Sequence, residues 1–356
     1  MKTDGYTAAI DRLSSSVARI AVEKSLGIKQ GETVTVETWD NGLGLARAVI
    51  REVRRVGALP VLIYEHGQDY VQTLQKIPKA SLGVMGRHEY SLLKSSDAYV
   101  FIPGPPIGPY FPAISREDYI EATKYNRAWY DAAKEAKLRG IRFPLGYVGK
   151  EYASLLRQKP DKIIGEQLRA CLVDFDKISE SGREVLATLP DGAHVRLLSE
   201  EGVLSFTLKG ESSLEDGVCD SADVVSGDNM SSLPPGQVIR GVDPKSVEGV
   251  VSVSSSVSRF GRLSDATFRF QAGVVVDYSS KRSAAVLRAM DAASSFRERA
   301  LGYLMVGLNP RMRYGYGQDG IVKGAVSLTL GFHGLVREPT MEVDGKQVVK
   351  KGRLVI

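Results

Sequence analysis

The apolar residues of this 356-residue chain follow two different patterns, and the change between them falls near residue 190. Before it, short continuous apolar runs alternate with segments of helical periodicity; after it, short alternating segments predominate, separated by Gly, Ser and Asp. The first pattern is typical of a parallel sheet covered by helices and the second of antiparallel strands. The sequence therefore predicts an α/β plus α+β fold. An N-terminal open parallel α/β domain (residues 1–185) is followed by a mainly antiparallel α+β domain (residues 186–356).

The first domain is predicted to begin with a helix and then a β-α-β unit. Apolar residues recur at helical spacing from Ile10 to Ile20, and Gly27 follows where helices commonly end. The run at residues 61–64 is continuously apolar, which predicts a parallel strand covered on both faces. The predicted helices span residues 7–26, 46–56, 114–138 and most of 161–189, and the predicted strands span residues 33–38, 61–64, 98–102 and 141–148.

The second domain is predicted to consist mainly of strands, because polar and apolar residues alternate in most of its segments. One helical stretch interrupts them at residues 282–303. The predicted strands span residues 194–198, 203–208, 249–257, 266–277 and 325–330.

Composition excludes several classes of protein. Apolar residues make up 43% of the chain and charged residues 25%, which is ordinary for a globular protein that buries a full core. No apolar run approaches the ~20 residues of a membrane span, and the N-terminus lacks the apolar core of a signal peptide. The two cysteines, Cys171 and Cys219, form no disulfide framework. We therefore expect a cytoplasmic protein with reduced thiols and no membrane partner.

The net charge of +5 does not by itself indicate a nucleic-acid partner, because Lys and Arg are scattered among Asp and Glu. The one dense basic group, Arg47, Arg51, Arg54 and Arg55, falls on a single predicted helix. Such a group is more often a solvated helix face than a nucleic-acid site. We expect no nucleic-acid partner.

Two loops of the first domain leave alternatives open. Gly42-Leu43-Gly44 lies between a strand and a helix, as a phosphate-binding turn would. The third glycine of the dinucleotide motif is not there, so a plain turn is the simpler interpretation. The proline-rich loop at residues 103–110 follows a predicted strand, at the edge where ligands bind in open parallel sheets. It is interpreted either as a ligand loop or as a rigid surface or dimer-contact loop.

Four segments of the second domain carry a family resemblance. They are Leu-Pro-Pro-Gly-Gln at residues 233–237, the segment from Gly to Asn-Pro at 302–310, the strand pattern at 324–331, and Pro-Thr-Met-Glu at 339–342. In this order and spacing they resemble the catalytic domain of the thermophilic metallo-aminopeptidase family, of the leucyl aminopeptidase or aminopeptidase T type. The opening pattern at residues 26–34 extends the resemblance over nearly the whole chain. The resemblance implies an active-site cavity in the second domain and a homodimer.

Members of this family hold two divalent metals with two glutamates, two histidines and an aspartate. Such a pair of metals polarises the peptide carbonyl and generates hydroxide near neutral pH, and the carboxylates offset the metal charge. By the resemblance, Gln237 stands at the first glutamate and Ser327 stands at one histidine. Tyr303, or Leu301 in an ungapped comparison, stands at the second glutamate.

The final histidine and aspartate of the family pattern are altered as well. They fall on Gly331 and His333, so that His333 takes the aspartate position. If the short segment before Pro339 shifts the register, His333 takes the histidine position instead. Because all five ligand positions differ, we expect a degenerate metal site and no cofactor, with at most one divalent metal bound weakly at His333.

The same positions define the predicted site. We expect Gln237, Tyr303, Ser327 and His333 to converge on one cavity, with Tyr303, Ser327 and His333 as catalytic residues. Gln237 is predicted to bind ligand together with Tyr314 and Tyr316 of the glycine-rich segment at residues 314–320. Glycines let a backbone approach a ligand, and tyrosines stack and donate hydrogen bonds.

The sequence therefore supports three functions. The first is a divergent aminopeptidase-T-like protein that has lost the two-metal peptidase centre and uses the cavity for a different small-molecule or peptide reaction. The alternatives are an intact metal-dependent aminopeptidase and a non-catalytic ligand-binding homologue. The family fold also hosts a mononuclear iron ring-cleaving oxygenase, whose His-x-Asp element does not occur here. The expected partners are a small molecule or short peptide and a second copy of the chain.

Overall fold

The computed structural model describes residues 5–74, 76–104, 116–258, 260–294, 300–330 and 332–356. The chain forms two compact units. The first consists of Met1–Leu172 and Gly217–Pro234, and the second of Val173–Asp216 and Pro235–Ile356. Each unit thus consists of two separate segments of the chain. From the sequence we expected two continuous domains that meet near residue 185.

The first unit contains a parallel sheet flanked by helices. Its strands are β1 (Thr33–Trp39), β2 (Leu59–Glu65), β3 (Ala98–Ile102), β4 (Arg139–Arg142) and β7 (Met230–Ser232). Its helices are α1 (Gly5–Ile20), α2 (Leu43–Arg55), α3 (Gly67–Leu74), α4 (Arg87–Lys94), α5 (Arg116–Glu135), α6 (Lys150–Leu155), α7 (Pro160–Ala170) and α9 (Ser221–Ser226). The strand order is β2-β1-β3-β4-β7, with parallel pairing throughout these five strands. Strand β7 brings the segment 217–234 back to this unit.

Strand β2 corrects one expectation from the sequence. We expected residues 61–64 to be covered on both faces, but Val61 is 44% exposed and Leu62 is 40% exposed. The reason is the strand order, because β2 is an edge strand and, among the strands that the structure describes, pairs with β1 alone. The central strand β1 shows the expected burial, with Val34 and Val36 inaccessible to solvent.

The second unit contains a large antiparallel sheet. Its strands are β5 (His194–Ser199), β6 (Gly202–Glu215), β8 (Gln237–Val242), β9 (Glu248–Ser258), β10 (Gly261–Gln271), β11 (Val274–Ser280), β12 (Tyr303–Gly307), β13 (Val326–Thr329), β14 (His333–Val336), β15 (Thr340–Val343), β16 (Lys346–Lys350) and β17 (Arg353–Leu354). Its helices are α8 (Phe175–Ala187) and α10 (Ala284–Ser294). The strand order is β11-β10-β9-β14-β13-β12-β8-β6-β5-β15-β16-β17.

The long strand β6 closes part of this sheet into a ring. It pairs with β8 and also with β9, so that β6, β8, β12, β13, β14 and β9 are joined in a continuous circuit. One face of these strands carries fully buried apolar side chains, among them Val238, Leu304, Val306, Val326 and Leu328. A parallel sheet unit followed by an antiparallel one confirms the predicted fold class.

Three predicted elements of the sequence are wrong in detail. The single strand expected at residues 266–277 is a hairpin of β10 and β11, because Ala272 and Gly273 adopt positive φ and turn the chain. Of the helix expected at 282–303, the structure describes α10 over Ala284–Ser294, and Tyr303 already begins strand β12. The strand expected at 141–148 is short, because a 3-10 helix begins at Pro144. No helix among the described residues is long and apolar enough to cross a membrane.

Candidate functional site

Four of the predicted site residues lie on one face of the antiparallel sheet, opposite its buried core. Gln237 on β8 pairs with Gly307 on β12, and two residues along β12, Met305 pairs with Ser327 on β13. Two residues along β13, Thr329 pairs with His333 on β14. Paired residues of neighbouring strands face the same way, and alternate residues of one strand share a face. Gln237, Tyr303, Ser327 and His333 therefore face the same side, which we name the site face.

Gln237 and Ser327 meet at Gly320. A Cβ atom added to Gly320 would lie 3.0 Å from Oγ of Ser327 and 3.2 Å from Nε2 of Gln237. The 3-10 turn Asp319–Ile321 therefore leaves no room for a side chain at Gly320 beside Ser327 and Gln237. Ser327 is only 3% exposed, while Gln237 is partly accessible to solvent.

The glycine-rich segment before Gly320 is held by Asp319. Its carboxylate accepts hydrogen bonds from the backbone N–H groups of Gly315 at 2.9 Å and Tyr316 at 3.2 Å, and also from Gly317. Burial raises the pKa of Asp319, while these bonds and nearby Arg262 oppose that rise. Of the two predicted ligand residues, Tyr314 is half exposed. The ring of Tyr316 lies 5.4 Å from the guanidinium carbon of Arg313.

Tyr303 lies at the other end of its strand. It is four residues from Gly307, the partner of Gln237, so about 13 Å separates the two positions along β12. The Tyr303 hydroxyl donates a 2.8 Å hydrogen bond to the Glu211 carboxylate, which raises the pKa of Tyr303. Leu301, the alternative position, is buried in the core. The structure therefore brings Gln237 and Ser327 together and leaves Tyr303 at a separate point of the same face.

His333 lies at the start of β14 and keeps access to solvent. The surrounding protein nevertheless desolvates the imidazole and lowers its pKa below 6.5, so the ring is mostly neutral at pH 7. Its cross-strand partner, Thr329, has a buried Oγ1 atom without a hydrogen-bond partner among the described residues.

Arg262, Asp319 and Glu211 belong to this region, and sequence reasoning missed them. Leu263 is fully buried in the core, so its neighbour Arg262 on β10 points to the site face. The Nε atom of Arg262 is buried and has no hydrogen-bond partner among the described residues. The signal in the sequence that could have indicated Arg262 is an arginine next to a core leucine at the start of a strand. Its meaning depended on a strand order that the sequence does not reveal.

Other candidate features of the sequence have ordinary structural roles or lie outside the described residues. Gly42 is closely packed, since a Cβ there would lie 2.3 Å from both Ile102 and Thr38, which explains the glycine without a phosphate. Most of the proline-rich loop at 103–110 and Gly331 lie outside the described residues. Within the described ranges, no three His, Cys, Asp or Glu side chains are grouped as a metal ion would require.

Comparison with known proteins identifies the class of fold. No protein-family model matches the sequence, and no curated protein matches it either. Among solved structures, the fold is that of an aminopeptidase-like scaffold. Wild-type AmpT from Thermus thermophilus superposes with a TM-score of 0.67 and 16% identity, covering 97% of this chain and 99% of that one.

A second solved structure, 2,5-dihydroxypyridine dioxygenase from Pseudomonas putida KT2440, superposes with a TM-score of 0.63 and 12% identity. It covers 97% of this chain and 96% of the dioxygenase. At these identities the likeness establishes the fold alone, and the fold hosts more than one chemistry. The predicted resemblance is therefore confirmed for the scaffold.

Proposed function

We propose that this protein uses the aminopeptidase-like scaffold to bind and transform a small molecule or short peptide at the site face, without a two-metal peptidase centre. The observation that carries the proposal is that Gly320 lies so near Gln237 and Ser327 that a Cβ atom there would crowd both side chains. These two side chains stand where the family resemblance implies metal ligands. Protein backbone, rather than open space, lies against them.

The groups at the ligand positions that the family resemblance implies do not fit two divalent cations. Gln237 and Ser327 are neutral, and Tyr303 is a protonated phenol that donates to Glu211. Two divalent ions repel strongly at close range unless carboxylates bridge them and complete their coordination shells. His333 offers one imidazole, which is enough for at most one weakly held metal.

The remaining groups favour chemistry by proton transfer and hydrogen bonding. A neutral imidazole at pH 7 accepts a proton from a bound molecule, and the low pKa of His333 keeps it in that form. The raised pKa of Tyr303 keeps its proton in place as a hydrogen-bond donor. The homodimer implied by the family resemblance stays part of this proposal.

Metal content and peptide hydrolysis, measured together, test the proposal. Purified protein dialysed against Zn²⁺ or Co²⁺ is expected to retain fewer than two equivalents. We also expect no metal-dependent hydrolysis of leucyl-p-nitroanilide, that is, no hydrolysis that EDTA abolishes and added metal restores. The Thermus thermophilus AmpT serves as the positive control for metal loading and for the assay. Two bound equivalents of metal together with chelator-sensitive cleavage would contradict the proposal and favour an intact metal-dependent aminopeptidase.

A variant pair separates catalysis at His333 from binding alone. Once a substrate of the site is found, H333Q should lower kcat at least tenfold and leave KM within about threefold, because removing a general base typically costs 10²–10⁴ in rate. The matched control is H194Q, which changes an exposed histidine on β5 of the same unit. Equal kcat values for both variants would mean that the reaction does not use His333 as a base.

A further inference from the structure

A row of side chains lies across five strands of the site face, and it is distinct from the place where Gln237 and Ser327 lie near Gly320. Thr329 pairs with His333, and the Thr329 carbonyl oxygen accepts a 3.0 Å hydrogen bond from the N–H of Gly302, the residue before Tyr303. On the other side, Leu335 pairs with Ser255 next to a bulge, and His333 and Val257 each lie two residues beyond that pair. Val257 pairs with Arg262. The row reads Arg262, Val257, His333, Thr329 and Tyr303 across β10, β9, β14, β13 and β12.

Two polar atoms of this row are buried without partners. They are Nε of Arg262 and Oγ1 of Thr329, neither of which has a hydrogen-bond partner among the described residues. Buried polar atoms are nearly always hydrogen-bonded, since leaving one unpaired is costly. Two such atoms on one row, facing the same side of the sheet, indicate groups that a bound molecule satisfies.

The charge of the row is positive at one end. The Arg262 guanidinium lies near Asp319, but the Asp319 carboxylate already accepts three backbone N–H groups from Gly315 to Gly317. His333 is mostly neutral at pH 7 and adds little charge. Guanidinium binds carboxylates through parallel N–H donors, which makes it more selective for a planar anion than an ammonium group would be.

Building on the proposed function, we propose that the molecule bound at the site face carries a carboxylate that pairs with Arg262. A second polar group of the same molecule lies toward Thr329 and His333. Arg262 and Thr329 are three strand spacings apart, about 14 Å between Cα positions, and the arginine side chain spans part of that distance. The ligand class is therefore a small organic acid with a further hydrogen-bonding group, larger than acetate.

Matched acid and amide probes test this inference by calorimetric titration. The pairs are 4-hydroxybenzoate with 4-hydroxybenzamide, N-acetyl-L-leucine with N-acetyl-L-leucinamide, and glutarate with glutaramide. At least one acid is expected to bind tenfold or more tightly than its amide. R262Q should abolish that preference, and R262K should reduce it because lysine lacks the planar pair of donors. T329V should weaken the binding of the same acid several-fold, while the thermal midpoint of this variant stays near that of the wild type.

The control variant is R269Q, which removes an exposed arginine from the same strand β10 and should leave the preference intact. Acids and amides that bind equally well, or a preference that survives in folded R262Q, would overturn the carboxylate inference and leave the proposed function standing. If no probe of either charge binds, the inference and the small-molecule part of the proposed function both fail. Should R262Q not fold, R262K and T329V decide the same question.

Discussion

At the scale of single residues, Glu37 in the first unit is a carboxyl group with a strongly raised pKa. Glu37 on β1 accepts a hydrogen bond from the hydroxyl of Tyr99 on β3. Burial raises the pKa of Glu37 to about 7, the Tyr99 hydrogen bond opposes that rise, and the nearby Glu89 and Glu65 add to it. The protonated carboxyl is therefore the form that this environment favours near neutral pH.

Glu37 should make stability depend on pH. Its folded pKa of about 7 exceeds the ordinary value of 4.5, so the folded state binds more protons between these values. The stabilisation is complete below pH 4.5 and is lost as the pH rises through 7, by about 3 kcal/mol at most. Urea unfolding at pH 5 and pH 7 should show this loss in the wild type and a flatter profile in E37Q.

The control for that experiment is E180Q, which alters an exposed glutamate on α8. It should reproduce the pH dependence of the wild type. If E37Q and E180Q lose the same free energy of unfolding between pH 5 and pH 7, Glu37 is not the source of the dependence.

At the scale of elements, Arg240 holds an irregularity of β6 in place. The pairing of β6 with β8 shifts between Leu208 and Ser212. The buried Arg240 guanidinium donates to the carbonyl oxygens of Gly210 at 3.2 Å and Glu211 at 3.1 Å. Because Glu211 also binds the Tyr303 hydroxyl, this bulge connects the interior of the sheet to the site face.

Replacing Arg240 should therefore destabilise the second unit. R240M leaves the two carbonyl oxygens without their donor, at an expected cost of about 2 kcal/mol in the free energy of unfolding. The Nε atom of Arg240 has no partner among the described residues, which keeps the cost below that of a fully satisfied buried ion. R196M is the control, because it breaks a half-exposed ion pair with Glu342 and should cost about 1 kcal/mol or less. Equal costs in chemical denaturation would contradict the bulge argument.

Local sequence patterns correctly predicted those helices and strands whose formation depends on their own residues. The periodicity of α2 and the apolar run of β3 (Ala98–Ile102) match the structure closely, since each depends on its own residues. The sequence did not predict the extension of β6 to Glu215, because its last residues are partly or fully exposed. The shared face of Gln237, Tyr303, Ser327 and His333 depends on strand order and register, which no single segment encodes.

At the scale of the whole molecule, no pattern in the sequence indicates that residues 217–234 return to the first unit. Residues 217–234 are polar over much of their length and resemble a loop. Within the first unit, however, they carry β7, and Asn229 donates a 2.8 Å hydrogen bond to the Leu138 carbonyl. Helix α8 precedes the change of pattern near residue 190, yet its Ile178 and Val185 belong to the core of the second unit. A boundary drawn from pattern alone divides each unit.

The second unit should fold by itself only when its own segments are kept together. The Gly236 N–H donates a 2.7 Å hydrogen bond to the Glu215 carbonyl, so the chain ends left by removing 217–234 are adjacent. A short Gly-Ser linker between residues 216 and 235 closes them at little entropic cost. A chain of 173–216, linker and 235–356 should give a cooperative thermal transition and dispersed amide resonances. The fragment 186–356 loses Ile178 and Val185, whose burial is worth about 1.5–3 kcal/mol each, and should lack both features. A cooperative transition of 186–356 at the same temperature as the linked chain would show that α8 is not required.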